Sequence, residues 1–381
     1  MSEPLRVIDL FTGAGGLTRG WHEAADLAGI DFETVAAVEL DPFAAASYRA
    51  NFGDGLRHQH VGSIEDWLDE DNVPQADVIF GGPPCQGFSQ LGKQDINDPR
   101  NFLWLAYAKT IARAQPRYFV MENVAPFLKS PQYAALQAST LSNGLLEDYE
   151  LTVKVLHAVD YGSAQNRKRT VVIGRRKDMP TISMPKPTHA RTDDGELAGT
   201  HGLRPWMSVE RAFAAHGAFD RIPDKPSAIA LPKIGADEKL THSFHTSELH
   251  LGRNYSDLSL KRFACIPAGG NRFDLPYELL APCWRKHTSG SADVMGRLYA
   301  DKPSVTIRTE FFKPEKGRYL HPTENRAITH WEAARLQGFP DDFQWIGSKT
   351  TIARQIGNAV PVELGRAISR QVLEALAASP A

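Results

Sequence analysis

Cysteine is scarce: the 381 residues hold three, Cys85, Cys265 and Cys283. That rules out a disulfide framework and a four-cysteine zinc site and fits a reducing compartment, so any special cysteine must be special by reactivity. Long apolar runs are missing too. Nothing approaches the roughly 18 to 20 uninterrupted apolar residues of a membrane-spanning helix, and the N-terminal MSEPLRVIDLF lacks the basic start and apolar run of a signal peptide. The chain is therefore expected to be soluble and cytoplasmic, with no membrane partner. There is no internal repeat, no low-complexity segment and no G-x-x-x-x-G-K-[ST] phosphate loop. Where a dinucleotide fingerprint needs its third glycine, the chain has Thr18.

With 42% hydrophobic and 23% charged residues the composition is that of a globular protein, long enough for one large or two smaller domains, which excludes disorder as the main state. The formal charge of -2 averages unlike regions: residues 161–320 carry a balance of +9, and the remainder -11. Charge alone fits a solvated surface as well as a polyanion-binding face.

The first half alternates strand, turn and helix. Apolar runs at Val7–Leu10, Thr34–Leu40, Ala76–Gly82 and Arg117–Val124 alternate with helical segments at 42–51 and 101–115, and Thr170–Ile173 adds another strand. This pattern predicts an α/β fold with a doubly wound, mostly parallel sheet and ligands bound beyond the carboxyl ends of its strands. From about Met179 the texture becomes irregular, rich in proline, glycine, histidine and basic residues. A second, smaller domain is expected there. Helical patterning returns near Ile328 and ends in an amphipathic helix over Val362–Ala377.

Four segments carry chemistry. The turn DLFTGAGG (9–16) follows a strand, with Gly13 and Gly15 letting backbone approach a nucleotide-like ligand and Glu39, at the next strand end, able to accept from ribose hydroxyls. A plain structural turn would look similar. GGPPCQGFS (81–89) is more specific, because two glycines and two prolines present Cys85 on a loop, as a nucleophile requires. Glu122 ends a neighbouring strand, where a carboxyl group in a cleft can hold its proton and bond a ring nitrogen, unless it is merely a surface acid or helix cap. Arg167 and Arg169 lie in a cationic cluster that can favour a thiolate and hold a carbonyl oxygen, or be only a solvated charge run.

In chain order the glycine turn, Pro83-Pro84-Cys85-Gln86, Glu122-Asn123-Val124, Gln165-x-Arg167-x-Arg169 and Gly357-Asn358-Ala359-Val360 resemble the motif set of the DNA cytosine-5 methyltransferases, over residues 6–176 and 328–377. The resemblance implies an S-adenosylmethionine-dependent catalytic domain at 1–178, a target-recognition domain at 179–305 and a return to the catalytic domain at 306–381. It implies a cofactor pocket of Phe11, Gly13, Gly15, Glu39, Ile64, Pro84 and Asn358. Where the family often has an acid near the adenine, this chain reads Gly62-Ser63-Ile64, and Leu40 stands where an aromatic residue often follows the ribose glutamate. Cys85 would add to C6 of a flipped cytosine while Glu122 bonds N3, Arg167 serves the O2 side and Arg169 reaches phosphate or supports Glu122. Ser89 and Lys93 would approach DNA phosphates from the loop after the cysteine.

In the basic segment Arg285, Lys286, Arg297, Arg308 and Lys313, interleaved with Trp284, Tyr299, Phe311 and Phe312, read as a groove and phosphate surface. His242, His245, His250 and the Cys283/His287 pair do not close a tetrahedral set, so no metal is expected. The expected partner is double-stranded DNA, with a monomeric enzyme and a functionally paired restriction endonuclease that need not touch it. Three other readings compete: methylation of transfer RNA, base flipping without catalysis, and a nicotinamide oxidoreductase. The long basic insert, the intact Cys85, Glu122 and Arg167, and the missing third glycine weigh against them in that order.

Overall fold

The computed structural model describes residues 3–70, 72–84, 103–191, 202–214, 242–286 and 289–379. The chain divides into two compact units, one of residues 1–161, 168–187 and 362–381, the other of residues 162–167 and 188–361.

The first unit is built on seven strands: β1 (Leu5–Leu10), β2 (Phe32–Glu39), β3 (Gln59–Val61), β4 (Val78–Gly81), β5 (Tyr118–Val124), β6 (Tyr149–His157) and β7 (Lys168–Arg176). Their spatial order is β3-β2-β1-β4-β5-β7-β6. The pairs β1·β2, β1·β4, β2·β3 and β4·β5 are parallel, while β7 runs antiparallel to both β5 and β6. The order of winding reverses between β1 and β4, and such a switch point, at the carboxyl ends of the strands, is where open α/β sheets generally take ligands.

The buried strands are apolar on both faces, as expected for a parallel sheet covered by helices. Ile8, Leu10, Val38, Ile79, Phe119, Met121 and Val172 share one core cluster with Trp67, Tyr107 and Tyr149. Two close approaches demand glycine. A Cβ on Gly81 would stand 2.1 Å from the Leu10 carbonyl oxygen, and one on Gly174 would stand 2.0 Å from the Phe119 ring. The helices are α1 (Gly16–Ala28), α2 (Pro42–Phe52), α3 (Ile64–Asp69), α4 (Leu103–Ala114) and α5 (Pro131–Ala138). Asp41 caps α2 by accepting from the amides of Phe43 and Ala44, with Pro42 in the first turn, where its missing N–H costs nothing.

The expected strands and the helix over Val362–Ala377 are present. The sequence reading passed over β3, three residues long and polar, and β6, an edge strand whose outer face carries Glu150 and Lys154.

The second unit has short elements. Ser243–His245 pairs antiparallel with Gln344–Ile346, His189–Ala190 pairs parallel with Arg204–Pro205, and small helices lie between. One of its cores gathers Phe263, Ile266, Leu275, Met295 and Leu320. Polar ties do much of the holding, as in the buried Glu332, which accepts at both carboxylate oxygens from Arg326 at 2.7 and 2.8 Å.

Within the first unit, α1 crosses the C-terminal helix Val362–Ala377 at Gly20 and Gly365, where a Cβ on Gly20 would lie 2.4 Å from the Arg366 backbone nitrogen. On an isolated helix Gly20→Ala would gain about 1 kcal/mol of propensity. Here it is expected to lose about 1–3 kcal/mol to overpacking, read as a lower urea midpoint at unchanged slope; a gain would show that the helices are not tightly apposed.

Candidate active site at the carboxyl ends of the strands

After β1 the chain turns sharply. Phe11 takes φ 56, Gly13 φ 54 and Gly15 φ 95. A left-handed conformation is costly for a phenylalanine and natural for glycine, so the turn concentrates strain at Phe11. A Cβ on Gly15 would collide with the Phe52 ring at 2.3 Å, whereas nothing lies within 4 Å of the Cβ position on Gly13, which faces open space. Glu39 closes this turn from β2: its Oε2 accepts from the Gly13 amide at 2.7 Å and its Oε1 from the Asp41 amide at 2.8 Å. Burial raises its pKa while the amides oppose that rise. Each oxygen keeps a second lone pair, so the carboxylate can still accept hydroxyl donors.

The turn is braced from below. Asp9 is 2% exposed, and Thr18 Oγ1 donates to its Oδ2 at 2.5 Å. The residue that breaks the dinucleotide fingerprint thus has a positive role. Burial pushes the Asp9 carboxyl up to about 7, against hydrogen bonds from Thr18 and Tyr48. The sequence reading missed Asp9 and Tyr48; a lone acid inside the apolar run Val7–Leu10 was the available signal.

Ser63 caps α3, its Oγ accepting from the Asp66 amide at 3.0 Å, and Ile64 lies 2% exposed in the core. Little of Ile64 is accessible. The apolar surface beside Glu39 comes instead from Leu40, 70% exposed, and Val61, 51% exposed.

On the other side of the switch point β4 ends in Gly81, followed by Gly82, buried Pro83 and exposed Pro84. Cys85, Ser89 and Lys93 lie outside the described residues. The loop's start is held from β5, where Asn123 Nδ2 donates to the Pro83 carbonyl at 2.9 Å. Glu122 is 8% exposed, and its Oε2 sits 3.0 Å from the Cβ position of Gly82. A side chain there would press on the carboxylate, which would have to give by a few tenths of an ångström. The other oxygen, Oε1, pairs with Arg169 Nε at 2.7 Å. The register explains the pair: Val124 stands opposite Arg169, and Glu122, two residues before it, shares its face, so the two side chains meet on the diagonal. Arg169 Nη1 also donates to the Lys168 carbonyl. Of the two roles open to Arg169, the geometry is that of support for Glu122.

The second unit holds the remaining expected residues. Arg167 is 3% exposed and donates to the carbonyls of Ile307, Gly357 and Asn358. It thereby ties the segment before β7 to the end of the helix Lys349–Asn358, where Asn358 itself is exposed. Gln165 makes a similar tie, donating to Leu336 and Gln337 and accepting from the Ile307 amide.

Arg297 corrects the surface reading. It is 4% exposed, and all five of its N–H groups are taken by the carbonyls of Phe263, Ile266, His321 and Glu324 and by the Asn325 side chain, leaving no donor for a phosphate. Phe311 is likewise buried, packed edge-on to His330. Arg285 and Tyr299 do face solvent, with Arg285 over the exposed Tyr277 ring at 4.9 Å and Lys302 over Tyr299 at 4.7 Å. Gly269, in the segment 269–272, packs under Tyr299 as a turn.

A glycine turn closed by a carboxylate beyond β1 and β2, and a proline-framed loop start beside a buried acid beyond β4 and β5, mark an α/β protein whose candidate site lies at the switch point, where sheets of this class take their ligands. The match of residues 5–374 to the model for C-5 cytosine-specific DNA methylases narrows this. Over 97% of its length the chain is 34% identical to the Type II methyltransferase M1.HphI of Haemophilus parahaemolyticus, covering 87% of that protein. It is 32% identical over its whole length to M.XorII of Xanthomonas oryzae pv. oryzae, also covering 87% of it. A solved Escherichia coli structure, described as a prophage-encoded DNA modification methyltransferase, superposes with a TM-score of 0.66 at 26% identity, covering 98% of this chain and 99% of that one. The Dnmt2 methyltransferase of S. pombe, at 17% identity, shares the fold with a TM-score of 0.55, covering 98% of this chain and 99% of its own. The chain belongs to the C-5 cytosine-specific DNA methylase family and is a DNA cytosine-5 methyltransferase.

Two expectations follow from this geometry. Between about pH 4 and 7 folded Asp9 holds a proton that the unfolded chain has lost, so its contribution to stability falls as pH rises through that window. The advantage of Asp9→Asn over the parent should therefore widen by up to about 1.4 kcal/mol per pH unit across the window and level off above it, as followed by denaturant melts. Arg297→Ala should cost at least about 3 kcal/mol by stranding buried carbonyls, whereas Arg285→Ala should stay within about 0.5 kcal/mol of the parent. The same melts check both.

Proposed function

We propose that the protein methylates C5 of a cytosine flipped out of a short duplex DNA sequence, using S-adenosylmethionine and a transient bond from Cys85 to C6. The observation that carries this reading is the seat of Glu122, fixed by Arg169 and pressed against Gly82, three residues before Cys85. It brings a hydrogen-bonding carboxyl group to the root of the nucleophile's loop.

The residues present fit the cofactor. Open space at Gly13, spare lone pairs on Glu39 and exposed Leu40 and Val61 make a cradle with an apolar wall and a hydroxyl acceptor. In this reading Glu39 takes the ribose and the Phe11–Gly15 turn lies along the amino-acid end. Pro84 holds the donor side. When bound, S-adenosylmethionine supplies an electrophilic methyl group.

C5 of cytosine is a poor nucleophile, and the chain's residues have to change that. The Cys85 thiolate adds to C6 while the carboxyl group of Glu122 hydrogen-bonds N3, so the electron pair displaced from the C5–C6 bond is stabilised across the ring and C5 becomes enamine-like. After C5 is methylated, water removes the C5 proton and the electron pair returns to expel Cys85, restoring the aromatic ring. Arg169 keeps Glu122 aimed. Arg167, whose N–H groups hold three carbonyls, acts chiefly by holding its segment in place. Exposed Arg285, with Ser89 and Lys93, approaches phosphates. The Type II relatives suggest a cognate endonuclease acting on the same sequence.

Bisulfite sequencing of host DNA after expression is expected to reveal 5-methylcytosine at one short sequence. Purified protein should label duplex DNA from a labelled methyl donor; labelled RNA with unlabelled DNA would overturn the DNA reading. Cys85→Ala should lose at least 10³-fold in transfer while largely keeping DNA affinity, and Glu122→Gln should lower kcat at least 10²-fold.

A further inference from the structure

One cluster lies outside everything described so far. His58, Gln59 and His60 run into the edge strand β3, so by the two-residue period of a strand His58 and His60 present their side chains on the same face. Glu70, the residue that ends α3, comes back to meet them. One ligand atom from each of the three lies within 4.8 Å of the others.

The ring of His60 is already set. Its Nε2 is turned inward, 2.7 Å from the Cβ position of Gly62, so any side chain there would displace it. That leaves Nδ1 facing Glu70 Oε1 at 3.6 Å. This distance is too long for a hydrogen bond. It is close to the edge of a tetrahedron of nitrogen and oxygen ligands around zinc, roughly 3.4 Å from bond lengths of about 2.0–2.2 Å. His58 and Glu70 are exposed while His60 is mostly buried. One fixed ligand and two adjustable ones can therefore close on an ion from solvent.

We propose that His58, His60 and Glu70 form a binding site for a divalent transition-metal cation of the zinc class, with solvent completing the coordination. Two imidazoles and one carboxylate select such an ion over magnesium or calcium, which prefer all-oxygen sites. The ion plays no part in methyl transfer. It clamps the start of β3 to the end of α3, and the loop between them contains Gly62, whose amide donates to the Glu39 carbonyl at 3.0 Å.

The test uses the full chain with Cys265 and Cys283 changed to serine, because both are exposed and would bind zinc themselves. After treatment with EDTA this reference protein is titrated with zinc and, in parallel, with cobalt, whose visible spectrum reports tetrahedral nitrogen and oxygen ligation. It should bind one equivalent that His58→Ala/Glu70→Gln in the same background lacks, with affinity falling at least tenfold. Zinc should raise the melting temperature of the reference only, and magnesium should not displace it. Both altered side chains are exposed, so the two proteins should melt alike in EDTA, which separates lost ligation from lost folding. Equal zinc affinity in reference and variant, or no binding by the reference at millimolar zinc, would overturn the proposal.

Discussion

The antiparallel seating of β7 against β5 is the constraint on which the candidate site depends. Parallel pairing alone would leave the end of β5 open, with Glu122 facing only the turn after β4. Because β7 enters the sheet in the opposite sense, its first residues lie beside the last residues of β5, and Arg169 falls on the face and at the spacing that bring its guanidinium to Glu122. Gly82 leaves the carboxylate its room, since a Cβ there would stand only 3.0 Å from Glu122 Oε2. Asn123, on the other face of the same strand, fastens the loop by the Pro83 carbonyl. One register thus fixes three features together: the acid, its support and the start of the loop after β4.

The parallel half of the sheet was legible because buried parallel strands are continuous apolar runs and their ends carry glycine or acid. Val7–Leu10 and Arg117–Val124 announce themselves in this way. β3 and β6 did not, since edge strands owe their existence to a partner and not to their own composition. Of the site, Gly13, Gly15, Glu39 and Glu122 stand where the motifs put them, at strand ends. Asp9 was hidden because a buried acid inside a strand reads as a break in the apolar pattern until Thr18 and Tyr48 are seen to satisfy it. Ser63, where the family often has an acid, turns out to cap α3, its Oγ accepting from the Asp66 amide, a role that leaves its O–H and one lone pair unspent. Local sequence reports which residues reach strand ends and leaves unstated what their polar atoms are already bonded to.

The same distinction governs the basic second half. A tally of lysine and arginine counts charge, whereas phosphate binding requires charge with unspent donors on the surface. Arg297 gives every N–H to its own unit's carbonyls, and Arg167 and Arg272 donate inward in the same manner. Irregular polypeptide with little sheet or helix has many carbonyls without ladder partners, and a planar fork of five donors is the side chain best suited to gather them. Part of the +9 of residues 161–320 is thus a consequence of irregular architecture. The long-range field of those buried charges persists, but they release no counterions on association. The dependence of DNA binding on salt follows the number of phosphates neutralised, at about 0.9 per phosphate in the logarithmic slope, so only exposed groups, as Arg285, Lys286 and Arg308 are, are placed to contribute to it, and the net charge of the segment does not measure it.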